Sequence, residues 1–314
     1  MTLVSQMSRS LSANAEYVWM NGNFVKWEDA NIHVSTQALH YGTGVFEGIR
    51  AYPTDRDLAV FRLKEHLKRL YDSAKVYMLN CPYDLEELES TILELLRRNN
   101  IHTAAYIRPL VFTGKLGLDL DTIKSPISTV IIAIPSEKIF SKPGLKVCVS
   151  SWRRINESST PPMAKACGNY INSVLAKLEA SQKGFDDSIL LDQNGLVSEA
   201  GGANLFLVRN GKLATPHLAS SILEGITRDT LIQIARDDGT TVEEREISRI
   251  ELYTSDEVFF VGSAAEVTPV LEIDGRNVGS GQVGPLTQRL GQLYGQAVRG
   301  EIERYRQWLS FVYK

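Results

Sequence analysis

Between Ser158 and Ala176 the only charged side chain is Lys165, and between Gln193 and Val208 the only one is Glu199. Charged residues make up 23% of the chain, so an ammonium and a carboxylate standing alone in uncharged surroundings are unusual. A lysine partly withdrawn from water can lose its proton and attack a carbonyl carbon. A buried carboxylate can hold a proton on a ring nitrogen. Downstream, Leu223-Glu-Gly-Ile-Thr-Arg228 reads as a helix start, where unpaired N–H groups and the helix dipole suit a phosphate. Aldehyde, ring nitrogen and phosphate ester are the three handles of pyridoxal phosphate. Taken singly, each feature has an ordinary explanation: a lysine stem laid over apolar surface, a turn glutamate, a plain helix start. Their order and combination point to the cofactor.

Further motifs surround these three. Leu39-His-Tyr-Gly-Thr-Gly-Val-Phe-Glu-Gly-Ile-Arg-Ala-Tyr52 and Tyr106-Ile-Arg-Pro109 precede Lys165-Ala-Cys-Gly-Asn-Tyr170. Ser198-Glu199, Gly225-Ile-Thr-Arg228 and Gly262-Ser-Ala-Ala-Glu-Val-Thr-Pro269 follow. In this order they closely resemble the class IV aminotransferases, and among those the bacterial branched-chain amino acid enzymes. The resemblance runs from about Tyr17 to the C-terminus.

The resemblance implies ping-pong transamination between leucine, isoleucine or valine and 2-oxoglutarate, giving branched-chain 2-oxo acids and glutamate. It makes Lys165 the Schiff-base lysine and proton carrier, and Glu199 the partner of the pyridine nitrogen. It assigns the phosphate to Arg69, the amides of Ile226 and Thr227, and Ser263, with Tyr170 beside the cofactor's phenolic oxygen. For substrate it implies an apolar pocket formed by Phe46, Gly48, Tyr41 and Tyr106. Arg108 would take the distal carboxylate of glutamate, while Ser263 and Ala264 would face the α-carboxylate. Arg50 would orient its neighbours, Arg228 would be structural, and Ile139 or Phe140 would line the pocket. Leu118 and Leu120 correspond to a loop lent to a neighbouring subunit, which implies a homodimer or higher homo-oligomer with shared active sites.

One segment departs from the family. Where relatives carry Gly-Ser-Gly-Glu-Asn, this chain has Ala200-Gly-Gly-Ala-Asn204, so Ala203 replaces a second carboxylate. D-amino acid aminotransferases, (R)-amine transaminases and 4-amino-4-deoxychorismate lyases share fold and cofactor, but the segments around Phe46 and Tyr106 favour the branched-chain type. A non-catalytic pyridoxal phosphate-binding protein is disfavoured by intact Lys165, Glu199 and Arg69. Gly42-Thr-Gly44 lacks the spacing of either nucleotide-phosphate fingerprint.

The composition agrees with a soluble enzyme. With 314 residues, 43% of them hydrophobic, and a net charge of −3, the chain is long enough for two compact domains or one large one and has no bias toward nucleic acid. Cys81, Cys148 and Cys167 form no CxxC pair, which suggests reduced thiols and no metal site. No apolar run approaches the roughly 18 residues of a membrane span, so a cytoplasmic protein is expected.

The site residues need an α+β frame, matching the two-domain fold type IV architecture of the resembled family. Asn-Gly pairs at 21–22, 194–195 and 210–211 sit between strand-like runs and predict hairpins, hence largely antiparallel sheets. Helical periods cover Glu65 to Tyr77, Asp84 to Arg98, Asn169 to Lys183 and Thr227 to Asp238. Pro285 to Phe311 reads as a helical C-terminus broken near Gly300. The expected organisation is a mobile tail at 1–15, a small domain at 16–134, a linker at 135–144 and a large cofactor domain at 145–314.

Overall fold

The computed structural model describes residues 15–117, 119–136 and 142–313, and the chain forms two compact units. Leu118, Ile139, Phe140, residues 1–14 and part of the expected linker lie outside the described residues. One unit holds the described residues within 1–139, Ala164–Gly168 and those within 296–314. The other holds those within 140–163 and Asn169–Gly295. A single cut at 135–144 therefore does not describe the division, because the chain returns twice to the first unit.

In the first unit β1 (Tyr17–Met20), β2 (Asn23–Lys26), β3 (Gly44–Phe46), β4 (Ile49–Thr54), β5 (Asp57–Phe61), β6 (Ala105–Thr113) and β7 (Ile127–Pro135) build an antiparallel sheet. Its order is C-terminal strand, β5, β4, β6, β7, β1, β2, with β3 also on β6. Asn21 (φ 48°) and Gly22 (φ 90°) make the expected tight turn between β1 and β2. Three helices accompany the sheet: α1 (Gln37–Tyr41), α2 (Leu63–Val76) and α3 (Leu85–Arg98). Asp84 caps α3 reciprocally with Glu87, which fixes where that helix begins. Leu67 and Leu70 of α2, Leu88, Ile92 and Leu95 of α3, and Ile107, Val111 and Ile131 of the sheet share one buried cluster.

The second unit contains β8 (Leu145–Arg153), β9 (Asp187–Leu191), β10 (Val197–Ala200), β11 (Asn204–Arg209), β12 (Lys212–Thr215), β13 (Val242–Glu244), β14 (Glu257–Gly262), β15 (Glu266–Ile273) and β16 (Arg276–Asn277). Its helices are α4 (Tyr170–Gln182), α5 (Ile226–Asp237), α6 (Arg249–Thr254) and α7 (Pro285–Val298). The sheet order is β10-β9-β8-β15-β14-β11-β12-β13, with β16 on β15. Antiparallel pairs dominate, but β8 runs parallel to both β9 and β15, and β12 parallel to β13. The connections through α4 and α5 explain two of these pairs, since a helical crossover returns the chain in the same direction.

Two expectations are corrected. Asn210 (φ 52°) and Gly211 (φ 74°) form a tight hairpin, but at 194–195 Gly195 (φ 83°) alone takes positive φ. There Asp192 Oδ1 accepts the N–H groups of Asn194 and Leu196, both at 2.9 Å, and makes a longer loop. The C-terminus is not helical to Phe311. After α7 and Gly300 (φ 74°), a 3₁₀ segment Glu303–Trp308 leads into strand β17 (Leu309–Phe311), which pairs with β5. The Trp308 carbonyl accepts the N–H of Arg62 at 2.7 Å, anchoring this strand to the unpaired edge of β5. No helix among the described residues is long and apolar enough to cross a membrane.

Candidate active site

In the first unit, the Lys165 segment lies along β3 as a short antiparallel ladder, with a bridge between Val45 and Ala166. Phe46 N–H donates to the Lys165 carbonyl at 3.0 Å, Cys167 N–H to Gly44 at 2.8 Å, and Gly168 N–H to Gly42 at 3.1 Å. Gly42 sits at φ +67°, and a Cβ there would come within 2.9 Å of Gly168 Cα, so only glycine permits this approach. The Lys165 N–H donates to Ser73 Oγ of α2 at 3.0 Å. The lysine is half-buried, with its ammonium 5.5 Å from the centre of the Phe46 ring.

One turn before Ser73, α2 presents Arg69 and then His66, and both reach Glu47. This carboxylate is fully buried and follows Phe46 directly. It accepts Arg69 Nε at 2.7 Å and Nη2 at 2.8 Å, a two-pronged ion pair, and His66 Nδ1 at 2.7 Å. Burial alone would push the Glu47 carboxyl up, but Arg69 and then His66 overcome it and hold it below the ordinary carboxylate range. Burial also holds His66 below its ordinary value despite Glu47, so at neutral pH it is a neutral ring donating from Nδ1.

Beyond Glu47, a Cβ on Gly48 would lie 2.4 Å from the Tyr106 hydroxyl, so the missing side chain makes room for that group. Arg108 Nη2 donates to the same hydroxyl at 2.6 Å, and its guanidinium lies 4.5 Å from the Phe46 ring centre. Its Nε is buried without a hydrogen-bond partner. Lys165, Arg69, Phe46, Gly48, Tyr106 and Arg108 are thus linked through consecutive contacts. Tyr41 and Leu120 are exposed. Arg50 is buried and donates to the Ser136 carbonyl at 2.8 Å, as suits an orienting role.

In the second unit, Glu199 on β10 is 4% exposed. It accepts Arg154 Nη2 at 2.8 Å, Asn204 Nδ2 at 2.8 Å and the Leu223 N–H at 3.2–3.3 Å. Its isolation in sequence therefore does not mean isolation in space: a guanidinium from the end of β8 compensates its charge. Ile226 and Thr227 open α5 directly after Gly225, so their N–H groups lie in the first turn, where a helix has no carbonyls of its own to offer. Asn204 pairs with Val261 across β11 and β14, which brings the Gly262–Ser263–Ala264 turn alongside 202–203. Tyr170 is half-buried at the start of α4. Arg228 is buried against Thr215, Pro216 and Glu244, a structural engagement.

Glu47, Arg154 and Asn204 are site residues that the sequence reading did not assign. Glu47 shows the same charge isolation as Glu199, standing alone between Tyr41 and Ile49. Arg154 has no such signal, since it follows Arg153.

A family model, amino-transferase class IV, matches residues 44–273. The chain belongs to the class IV aminotransferases. It is 44% identical to the branched-chain-amino-acid aminotransferase of Escherichia coli (strain K12), covering 95% of this chain and 98% of that one. It is 40% identical to the one from Pseudomonas aeruginosa, covering 94% and 97%. Among solved structures it is similar to the branched-chain aminotransferase of the archaeon Thermoproteus uzoniensis with norvaline, with TM-score 0.92 and 46% identity over 95% of this chain and 99% of that one. The T.th. branched-chain amino acid aminotransferase complexed with N-(5'-phosphopyridoxyl)-L-glutamate matches with the same score, identity and coverage.

The buried neutral His66 carries a testable consequence. On unfolding it regains its ordinary pKa of 6.5, so below that pH the unfolded chain binds a proton the folded chain refuses. Stability should therefore fall as pH drops through this region. His66→Asn keeps an N–H donor for Glu47 but cannot titrate. Urea denaturation at about pH 7.5 and about pH 5.5 should show a smaller loss for the variant. An equal loss would place the slope elsewhere.

Proposed function

We propose that the protein transfers amino groups between branched-chain L-amino acids and 2-oxoglutarate with pyridoxal phosphate as cofactor. The observation that carries the substrate reading is Arg108: a cation with one buried, unsatisfied donor, set over an apolar ring. A site of this kind suits an apolar side chain along Phe46 and a distal carboxylate at the guanidinium. The relatives named for branched-chain substrates, and the phosphopyridoxyl-glutamate complex of one of them, support the same reading.

The residues fit the cofactor chemically. Glu199, backed by Arg154, is an anionic acceptor suited to a protonated ring nitrogen. The first-turn N–H groups of α5, the Ser263 hydroxyl and the Arg69 guanidinium are each donors of the kind that a phosphate dianion takes. When bound, pyridoxal phosphate supplies an aldehyde that exchanges amines and a ring that accepts an electron pair. Lys165 Nζ would hold the cofactor through its aldehyde carbon and would carry the proton to and from the substrate α-carbon. Glu199 keeps the proton on the ring nitrogen. Phe46 and the Tyr106 hydroxyl orient the substrate and limit water.

Arg108→Leu should damage the half-reaction of glutamate far more than that of leucine. A lost charged hydrogen bond in a buried pocket costs about 1.5–3 kcal/mol, on the order of ten- to a hundredfold in specificity. Single-turnover changes in the visible spectrum with each donor separate the two. Equal losses would mean that Arg108 binds the common α-carboxylate or only supports the fold.

We also infer a homodimer that uses the surface formed by α1 and the loop after β6. Gln37 ties these together through Gly114 and Asp119, and Leu39, Leu116, Leu120 and Ile123 on them are each more than half exposed. Apolar side chains gathered in this way are costly in water and suit a symmetric contact. Sedimentation at assay concentration should give a dimer or a larger assembly. A fully active monomer would contradict it.

A further inference from the structure

Asn204, the first residue of β11, is 5% exposed and spends its amide in two directions. Nδ2 donates to Glu199 Oε2 at 2.8 Å and to the Leu223 carbonyl at 2.9 Å. The Leu223 N–H returns to the Glu199 carboxylate at 3.2–3.3 Å, which closes a ring of hydrogen bonds through Glu199, Asn204 and Leu223. Two residues later Gly225 is the N-cap of α5, and a Cβ there would lie only 1.8 Å from Asn204 Oδ1. The amide therefore fixes both the carboxylate on β10 and the backbone that aims the first turn of α5. Arg154 braces the carboxylate from its other oxygen, so Glu199 cannot swing to follow a displaced turn.

We propose that Asn204 is a positioning residue that sets the spacing between the ring-nitrogen anchor at Glu199 and the phosphate anchor at the start of α5. This rests on the cofactor reading above and deepens it. A pyridine ring with a one-carbon phosphate arm is short and stiff. Binding it at both ends is stronger than binding either end only when the two anchors stand at the matching distance. A planar amide with two donors and one acceptor holds both sides at once. Aspartate would lose the donors and set a second carboxylate against Glu199. The pairing also explains residue 225, where any side chain would collide with the amide.

The test uses the full-length protein freed of cofactor and two ligands that cannot bond to Lys165: inorganic phosphate, and pyridoxine phosphate, which has no aldehyde. Asn204→Ala should weaken pyridoxine phosphate roughly ten- to a hundredfold while changing phosphate affinity less than about threefold. Gly225→Ala should weaken pyridoxine phosphate to a similar degree. The double variant should be no weaker than Asn204→Ala alone, because removing the amide makes room for the methyl group. Should Asn204→Ala fail to fold, Asn204→Leu keeps the approximate shape, loses the donors without adding charge and is held to the same comparison. Parallel losses for both ligands, no loss for either, or additive losses in the double variant would overturn the spacing role. A wild-type protein that binds pyridoxine phosphate no more tightly than phosphate would overturn the cofactor reading itself.

Discussion

The position of Lys165 depends on how closely the 164–168 segment can lie against β3. Three backbone hydrogen bonds at 2.8–3.1 Å hold the two together, and a side chain at Gly42 would force them apart. Once that ladder is set, strand alternation distributes the neighbouring groups. Phe46 lies near the lysine ammonium, Glu47 turns to α2, and Gly48 leaves space for the Tyr106 hydroxyl. The helix that receives Glu47 also holds the Lys165 amide through Ser73. Backbone geometry and one buried charge therefore fix the lysine and the arginine of the same unit together.

Each unit buries a carboxylate, and each compensates it with an arginine. Glu47 takes Arg69 and His66, whereas Glu199 takes Arg154, Asn204 and a backbone N–H. Burying an ion pair gains little net stability over apolar packing, but removing one partner is costly, often about 3–5 kcal/mol, so both networks resist piecemeal change. Their geometric consequences differ. Glu47 consumes one edge of Arg69 and thereby aims it, while the donors around Glu199 hold that carboxylate in place.

Charge isolation in sequence marked Lys165 and Glu199 because such groups are costly to bury without a purpose; Glu199 is buried, and so is Glu47, which carries the same signal but was not assigned from it. The turns at 21–22 and 210–211, the helical period of α3 and the start of α5 were legible because local residues dictate them. What was hidden depends on distant partners. Glu47 meets Arg69 from 22 residues away, and nothing near Arg154 announces that it faces Glu199. The parallel pairing of β8 and the three-residue strand at the C-terminus likewise depend on which edge is open, not on a local period. The five-residue return of Ala164–Gly168 to the first unit is too short to carry any pattern.

The central claim is that Lys165 is the amine that holds the cofactor aldehyde. Borohydride reduction of the protein loaded with pyridoxal phosphate, followed by proteolysis and mass spectrometry of the phosphopyridoxyl peptide, tests it most directly. The account predicts a single stoichiometric modification at Lys165, with the surface lysines unlabelled. Stoichiometric label on any other lysine, or label spread among several with Lys165 unmodified, would contradict it.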